Sequence, residues 1–254
     1  MLLAVDIGNT NIKLGVFRGG KLLHSWRISS DIHRTADEYA LILHGLVSTA
    51  KGRIARVAIA GVVPVLEAAM RQCAIELTGA EPVVIDDTSP LGFTIGYHPP
   101  SDVGVDRLVD AAAAVERYRA PVVVVDFGTA VTLGVVDRRK VYLGGVIAPG
   151  LELAAESLFL RTAKLPLATL KAPRSAIGRS TLEAIRSGLV LGCAALVDGL
   201  LERVFEEMGG KATVVATGGV AALVAPHSRH IRRVDPDLTL DGIRIVAGRM
   251  RGKA

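Results

Sequence analysis

The chain begins with apolar runs of strand length separated by short polar turns. Residues 2–5 form the first run, and residues 12–17 and 22–26 follow it, separated by glycine-containing turns. Apolar runs of this length between turn residues are typical of β-strands. The opening segment therefore predicts three consecutive strands.

Helical patterns follow and then alternate with further apolar runs. Thr35 with Glu38, and Ser180 with Glu183, have the spacing of a capping box at the start of a helix. The predicted helices cover 35–49, a segment after Pro64, 102–118, 151–160, 181–208 and 240–250; the predicted later strands cover 56–60, 83–85, 122–125, 141–146 and 213–216. This alternation predicts an α/β fold with mixed sheets flanked by helices.

The opening strand–turn–strand pattern occurs a second time near the middle of the chain. Residues 5–10 resemble residues 125–129, and residues 14–17 resemble residues 133–136, with one residue fewer in the second turn. A match of two strands in register, about half a chain length apart, indicates a duplicated unit. We therefore predict two domains, 1–119 and 120–254.

The composition supports this architecture and restricts the partners. Half of the residues are hydrophobic but only 4% are aromatic, so the core must consist mainly of Ala, Val, Leu and Ile. The net charge of +5 is compatible with nucleic acid, anionic membranes or phosphorylated ligands. Because Lys and Arg form no long run, we interpret the charge as a solvated basic surface and expect no nucleic acid partner.

The cysteines and the N-terminus indicate the compartment. Cys73 and Cys193 have neither CxxC nor metal-ligand spacing, which is typical of a reducing compartment. The N-terminus lacks the features of a signal peptide, and uncharged stretches such as 212–226 are too short to span a bilayer. We expect a soluble, cytoplasmic protein without a membrane partner.

The two Asp-x-Gly turns are the first candidate sites. Asp6 and Asp126 each end an apolar strand and precede a glycine turn, which places a carboxylate beside backbone N–H groups. Such a turn can hold phosphate while Asp6 holds a hydrated Mg²⁺. Lys13 on the next strand could neutralise phosphate charge. The alternative is a pair of ordinary hairpin turns with Lys13 in solvent.

Two further segments carry candidate chemistry. In the segment 104–107 near a helix start, Arg107 could bind a carboxylate or phosphate and Asp106 could accept a proton from a hydroxyl. The two glycines in 217–219 let the backbone approach a flat ligand. The alternatives are a helix-start Asp with a surface Arg, and a turn without a ligand.

Several motifs in this order resemble the type III pantothenate kinases. They are DIGNTNIK at 6–13, GVDR at 104–107, DFGTAVT at 126–132, GGVIAPG at 144–150, Thr181, and ATGG at 216–219. The likeness extends from Leu2 to about Gly242. It implies the actin-like ATPase and sugar kinase fold, with two duplicated ribonuclease H-like domains and an ATP cleft between them. It also implies a homodimer whose pantothenate site lies close to the subunit interface.

The resemblance implies a reaction and its site residues. The reaction is ATP-dependent phosphorylation of pantothenate to 4′-phosphopantothenate, the first step of coenzyme A biosynthesis. The implied ATP contacts are Asp6, Ile7, Gly8, Asn9, Thr10, Asn11, Ile12, Lys13 and Thr129. The implied pantothenate contacts are Tyr97, Gly104, Val105, Asp106, Arg107 and Thr181. Asp106 matches the catalytic base, and Asp126 matches the ligand of a monovalent cation, K⁺ or NH₄⁺.

Two other functions remain compatible with this sequence. One is a kinase for a sugar or another small alcohol, and the other is a non-enzymatic transcriptional regulator on the same scaffold. The GVDR segment and Thr181 favour pantothenate, although Thr181 could simply start a helix and Tyr97 could simply pack on the following prolines. No nucleic-acid-binding motif is visible, which favours an enzyme.

Overall fold

The structure is a computed structural model that describes residues 1–250, and the chain divides into two compact units. The first unit contains residues 1–117 together with the segment from Asp237 onward, and the second contains residues 118–236. The predicted boundary at 119/120 lies close to this division. The C-terminal helix differs, because it was predicted with the second domain and groups with the first unit. The last four positions of that predicted domain lie outside the described residues.

The chain up to residue 118 contains six strands and three α-helices. They are β1 (Leu2–Ile7), β2 (Asn11–Arg18), β3 (Lys21–Ser29), α1 (Ala36–Ser48), β4 (Arg56–Gly61), α2 (Pro64–Thr78), β5 (Val83–Val84), β6 (Thr94–Ile95) and α3 (Val105–Tyr118). A short 3-10 turn at Pro100–Asp102 precedes α3.

The rest of the chain repeats this alternation. Its elements are β7 (Val122–Phe127), β8 (Ala130–Val136), β9 (Val141–Pro149), α4 (Leu151–Arg161), α5 (Thr181–Glu207), β10 (Thr213–Thr217), α6 (Ala221–Val224), β11 (Arg233–Val234) and α7 (Leu238–Met250). A 3-10 turn at Ala225–His227 follows α6. The helices and strands predicted from the pattern are confirmed, with end points that shift by one to a few residues.

The sheets of the two units have the same strand order and directions. In the first unit the order is β3-β2-β1-β4-β5, and in the second it is β9-β8-β7-β10-β11. The hairpin pairs are antiparallel, whereas β1–β4 and β7–β10 are parallel. Even the register shift at Val16/Phe17 recurs at Val135/Val136. The prediction of a duplicated α/β unit is thereby confirmed at the level of topology.

The first sheet has one bulky and one small face, because side chains alternate along each strand. Leu3, Val5 and Ile7 of β1 belong to the core cluster that includes residues of α1 and α2. The opposite face of the sheet contains small residues such as Ala4 and Gly15 at its centre, and α7 packs on β1, β2 and β4. A Cβ atom at Gly15 would lie 3.0 Å from Leu240 Cδ1, so the small face sets how closely α7 can approach.

The helices α3 and α7 cross in direct backbone contact. A Cβ atom at Gly242 would lie 2.0 Å from the carbonyl oxygen of Val109. Beside this crossing the buried Asp241 accepts hydrogen bonds at 2.7 Å from Arg117 Nε and at 2.6 Å from Arg244 Nε. These contacts explain why α7 belongs to the first unit.

The long helix α5 covers the second sheet. Its residues Val190, Val197 and Leu201 are fully buried in the same cluster as Val123 and Val125 of β7. By length and composition alone, α5 is apolar enough to cross a membrane, a property that the sequence analysis overlooked. Core helices of globular proteins meet the same criterion, and the packing of α5 on β7 places it in that class.

The helix starts were predicted with partial success. Thr35 accepts a hydrogen bond from Glu38 N, and Glu38 Oε2 accepts one from Thr35 N, so this capping box is confirmed. Ser180 Oγ accepts a hydrogen bond from Glu183 N at 3.3 Å, but Glu183 Oε2 accepts its bond from Arg179 N. The predicted capping box at Ser180 is therefore wrong in its second half, because the glutamate reaches one residue further back.

Candidate active site

The first Asp-x-Gly turn connects β1 and β2. Asp6 is buried, and its Oδ2 lies 3.7 Å from Nζ of Lys13, its direct cross-strand neighbour. Gly8 N–H donates to the carbonyl oxygen of Asn11 at 3.1 Å and closes the turn. Asn9 and Thr10 at its tip are exposed. The turn thus presents backbone and short polar side chains to solvent above the buried Asp6 carboxylate and the half-buried Lys13 ammonium group.

Buried neighbours hold this turn in place. Ile7 and Ile12 are fully buried at its two ends, so only their backbone can contact a ligand. Ser30, just after β3, donates from Oγ to the carbonyl oxygen of Gly8 at 2.6 Å, and its N–H donates to that of Thr10 at 3.0 Å. Sequence reasoning missed Ser30 because only the β2–β3 hairpin brings it beside the turn.

The second turn connects β7 and β8 and is one residue shorter. Gly128 N–H donates to the carbonyl oxygen of Ala130 at 3.1 Å, and the exposed Thr129 occupies the tip. The cross-strand neighbour also differs, because Asp126 faces Thr132 where Asp6 faces Lys13. The first carboxylate is therefore paired with an ammonium group, whereas a hydroxyl side chain takes that place in the second.

The Asp126 carboxylate lies against two glycines. A Cβ atom at Gly218 would be 2.3 Å from Asp126 Oδ1, and one at Gly128 would be 3.3 Å from Oδ2. Gly218 has a φ of +96°, a backbone angle that residues other than glycine rarely adopt. Asp126 is thus surrounded by backbone and by the hydroxyl side chains of Thr132 and Thr217, its register neighbours. Oxygen donors of this kind suit a hard cation.

The start of α3 carries the candidate base. The Asp106 carboxylate accepts a hydrogen bond from the N–H of Arg107 at 2.8 Å. A Cβ atom at Gly104 would lie 2.5 Å from Asp106 Oδ1 and 3.7 Å from Arg107 Nε, so both side chains pack over this glycine. Asp106 and Arg107 are half-buried. The segment can therefore present an acceptor and a guanidinium group to one ligand.

Two more residues, Tyr97 and Thr181, were predicted to contact pantothenate. Tyr97 is half-buried in the loop after β6, and Thr181 is the exposed first residue of α5 behind the Ser180 cap. Tyr97 belongs to the first unit with the DIGNTNIK turn and the GVDR segment. Thr181 belongs to the second unit with Asp126 and Thr129. Each unit thus carries part of the predicted set.

The carboxylates of the candidate site suit a metal ion that is held mainly by a bound nucleotide. Among residues 1–250, no group of three or more His, Cys, Asp or Glu side chains is placed to hold a metal ion. Mg²⁺ in phosphate sites keeps several waters and needs only one or two carboxylates beside the substrate phosphates. Asp6 alone therefore fits a magnesium ion that arrives with a nucleotide.

The cysteines take no part in this chemistry. Both are free thiols; Cys73 is buried and Cys193 half-buried. Burial raises the pKa of each thiol to about 11, so both stay protonated at neutral pH. A protonated thiol is a poor nucleophile, which agrees with the absence of CxxC or metal-ligand spacing around them.

The duplicated sheet with an Asp-x-Gly turn in each copy defines the fold class of the protein, the actin-like ATPase and sugar kinase fold. Solved structures of this fold align along nearly the whole chain. A hexokinase of the ROK family from Thermus thermophilus aligns with a TM-score of 0.54 at 16% identity and covers 100% of this chain and 99% of its own. Component A of the (R)-2-hydroxyglutaryl-CoA dehydratase of Acidaminococcus fermentans aligns with a TM-score of 0.58 at 16% identity, covering 97% and 95%. At such identities the likeness concerns the fold.

Sequence comparison identifies the family. The model described as type III pantothenate kinase matches residues 2–203. A type III pantothenate kinase of Moorella thermoacetica is 45% identical over 249 residues, covering 97% of this chain and 98% of its own. The enzyme of Finegoldia magna is 40% identical over 252 residues, covering 97% and 96%. The chain belongs to the type III pantothenate kinase family.

Proposed function

We propose that this protein phosphorylates the primary hydroxyl of pantothenate with ATP and forms 4′-phosphopantothenate, the first step of coenzyme A biosynthesis. The observation that carries the proposal is the match to type III pantothenate kinases along nearly the whole chain. The duplicated fold with its two acidic turns supports an ATP-dependent phosphotransferase.

ATP contacts the turns of both copies. The backbone of residues 6–13 binds phosphate oxygens, Lys13 offsets their charge, and Thr129 adds a contact from the second turn. Backbone amides in a glycine turn attract anions without a large rearrangement, which suits a triphosphate. The hydrogen bonds from Ser30 to Gly8 and Thr10 support this assignment, because they hold the turn in one conformation.

Pantothenate is bound by Tyr97, by residues 104–107 and by Thr181. Arg107 suits the carboxylate of pantothenate or the migrating phosphoryl group, since a guanidinium binds such groups through paired hydrogen bonds. Asp106 accepts the proton of the attacking hydroxyl. The packing of both side chains over Gly104 supports these roles, because it restricts the positions of the acceptor and the guanidinium group.

The reaction depends mainly on positioning and charge. Phosphoryl transfer requires the attacking hydroxyl in line with the γ-phosphate and positive charge around the transferred group. Mg²⁺ near Asp6 supplies charge compensation at the phosphates when the nucleotide is bound. Asp106 removes the hydroxyl proton as the oxygen–phosphorus bond forms, and ADP leaves with the electron pair of the broken bond.

A monovalent cation, K⁺ or NH₄⁺, binds at Asp126. The carboxylate lies over Gly128 and Gly218, with Thr132 where the first copy has Lys13. A bound cation would supply in the second copy the positive charge that Lys13 supplies in the first. This correspondence supports a cation site at Asp126.

The protein acts as a homodimer, and an exposed apolar face of the second unit supports this. Leu153, Phe159 and Leu160 of α4 and Leu196 of α5 are exposed. On α5, Gly188, Gly192 and Gly199 lie on one side of the helix, and a Cβ atom at any of them would have nothing within 4 Å. A helix face of small residues allows another helix to approach closely, and a second copy offers the same face.

We infer a soluble, cytoplasmic enzyme without nucleic acid or membrane partners. The packing of α5 in the core of the second unit and the two protonated thiols support this location. Its substrates are small anions, which the net charge of +5 also suits.

The test is an assay with direct detection of product by mass spectrometry, so that no coupling enzyme responds to a change of cation. The purified protein is supplied with MgATP and either pantothenate, a panel of sugars or no acceptor, in KCl, NH₄Cl or NaCl. We expect phosphopantothenate in K⁺ or NH₄⁺ and much less in Na⁺. Phosphorylation of a sugar but not of pantothenate would contradict the substrate, and salt-sensitive duplex DNA binding without any kinase activity would favour a regulator.

A further inference from the structure

Thr217, the last residue of β10, carries a hydroxyl group that the structure leaves without a partner. Its side chain is completely buried, and Oγ1 has no hydrogen-bond partner within residues 1–250. Burial of an unpaired hydroxyl is costly, and such groups in native proteins are rare. The position therefore indicates a ligand that the hydroxyl contacts.

The hydroxyl lies on the same side of the sheet as the Asp126 carboxylate. Thr217 and Asp126 are register partners on the parallel strands β10 and β7, so their side chains project from the same face. The opposite face contains the core residues Val125 and Ala216. The residue after Thr217 touches the carboxylate, since a Cβ atom at Gly218 would lie 2.3 Å from Asp126 Oδ1.

The strand neighbours of Asp126 differ from those of Asp6, its equivalent in the first copy of the unit. There, Asp6 has Ala60 as its parallel-strand neighbour and Lys13 as its antiparallel one. Both neighbours of Asp126 are threonines instead, Thr217 and Thr132. The copy with a built-in ammonium group thus has a methyl group beside its aspartate, and the other copy has two hydroxyl groups.

We propose that Oγ1 of Thr217 is a ligand of the monovalent cation bound at Asp126. This inference rests on the proposed cation site and adds a residue to it. A threonine hydroxyl has two acceptor lone pairs, and oxygen ligands suit a hard cation. The cation would satisfy the buried hydroxyl and lie beside the Asp126 carboxylate.

The experiment measures cation binding without catalysis. The thermal unfolding midpoint of the whole protein is recorded against KCl concentration, with tetramethylammonium chloride keeping the ionic strength constant and no nucleotide present. A ligand of the folded state raises the midpoint as it saturates its site. The variants are Thr217→Val, which keeps the shape and removes the hydroxyl, and Asp126→Asn.

The matched control is Thr213→Val, the same substitution on the same face of β10. We expect Thr213→Val to show the same K⁺ response as the wild type. Thr217→Val should need about tenfold more K⁺ for half of the stabilisation, because a tenfold change corresponds to the loss of about one polar contact. Without K⁺, Thr217→Val should unfold at or above the wild-type temperature, because it removes an unsatisfied group.

Each other outcome has a definite meaning. A wild-type K⁺ response in Thr217→Val, together with its loss in Asp126→Asn, would overturn the role of Thr217 and leave the cation site standing. A wild type that responds no more to K⁺ than to tetramethylammonium, or an Asp126→Asn variant that responds like the wild type, would overturn the site itself. If Thr217→Val weakens binding of a non-hydrolysable ATP analogue while its K⁺ response is intact, the hydroxyl contacts the nucleotide instead.

Discussion

Asp6 and Asp126 occupy equivalent positions in two copies of one turn, yet they have different neighbours. The antiparallel partner of the aspartate is Lys13 in the first copy and Thr132 at the equivalent position of the second. A carboxylate beside an ammonium group and one beside hydroxyl groups differ in the cations they attract. At the residue scale, threonine in place of lysine at one equivalent position thus explains how two copies can serve different parts of one reaction.

Asp106 is the residue on which turnover should depend most. A positioned general base contributes about 10²–10⁴-fold, so Asp106→Asn should lower kcat by roughly that factor. The measurement is kcat at saturating ATP and pantothenate, with the unfolding midpoint as a check on the fold. Asp102→Asn, an exposed neighbour in the preceding 3-10 turn, is the control and should keep wild-type turnover. Near-normal turnover in a folded Asp106→Asn protein would remove Asp106 from this role.

Asp198 on α5 should set part of the acid sensitivity of the fold. Burial alone would raise its pKa, but hydrogen bonds from the N–H of Arg229 and the hydroxyl of Ser228 outweigh burial and hold the pKa below its usual value. The carboxylate therefore stabilises the fold above pH about 4, and this contribution is lost as pH falls through the lowered folded-state pKa.

Asp198→Asn tests that contribution by urea unfolding at several pH values. At pH 7 the variant should lose about 1–3 kcal/mol, because charged acceptors of buried hydrogen bonds are replaced by a neutral amide. Below pH 4 the difference from the wild type should shrink. A difference that stays constant from pH 7 to pH 3 would show that the charge of Asp198 contributes nothing.

Glycine positions decide how helices pack at the scale of the element. The helix α7 contains Gly242 at its crossing with α3 and Gly248 on its exposed side. Only the first is in close contact, since a Cβ atom at Gly248 would have nothing within 4 Å. The two glycines have the same intrinsic cost in a helix, so their difference isolates the effect of packing.

Alanine at these two positions should therefore have opposite effects. Gly242→Ala places a methyl group against the backbone of Val109 and should destabilise by about 1–3 kcal/mol or more, as overpacking does. Gly248→Ala should stabilise by about 0.5–1 kcal/mol, because alanine is the better helix former. Urea unfolding of both variants checks this, and equal effects would exclude a packing role for Gly242.

The proposed association of two copies is tested at the scale of the whole molecule. Gly192→Arg would place a long charged side chain on the small-residue face of α5 and should convert a dimer into a monomer, measured by light scattering after size exclusion. Leu41→Arg, at an exposed apolar position of α1, is the control and should leave the mass unchanged. A dimer that persists in Gly192→Arg would exclude this face as the interface.

The sequence alone determined the duplicated strand–turn–strand units, most helices and strands, and the ordered motifs that define the family. These depend on local periodicity, on turn residues and on short motifs, each of which occupies only a few neighbouring positions. The first helix was predicted together with its Thr35 cap for the same reason.

The tertiary structure decided which distant residues meet. It grouped α7 with the first unit through the contact of Gly242 with Val109, placed Ser30 against the first turn, and set Thr217 beside Asp126. None of these neighbours can be read from spacing, because strand order and helix crossing bring together segments far apart in the chain. The aspartates were thus visible in the sequence as candidate site residues, whereas their neighbours in the fold depended on long-range packing.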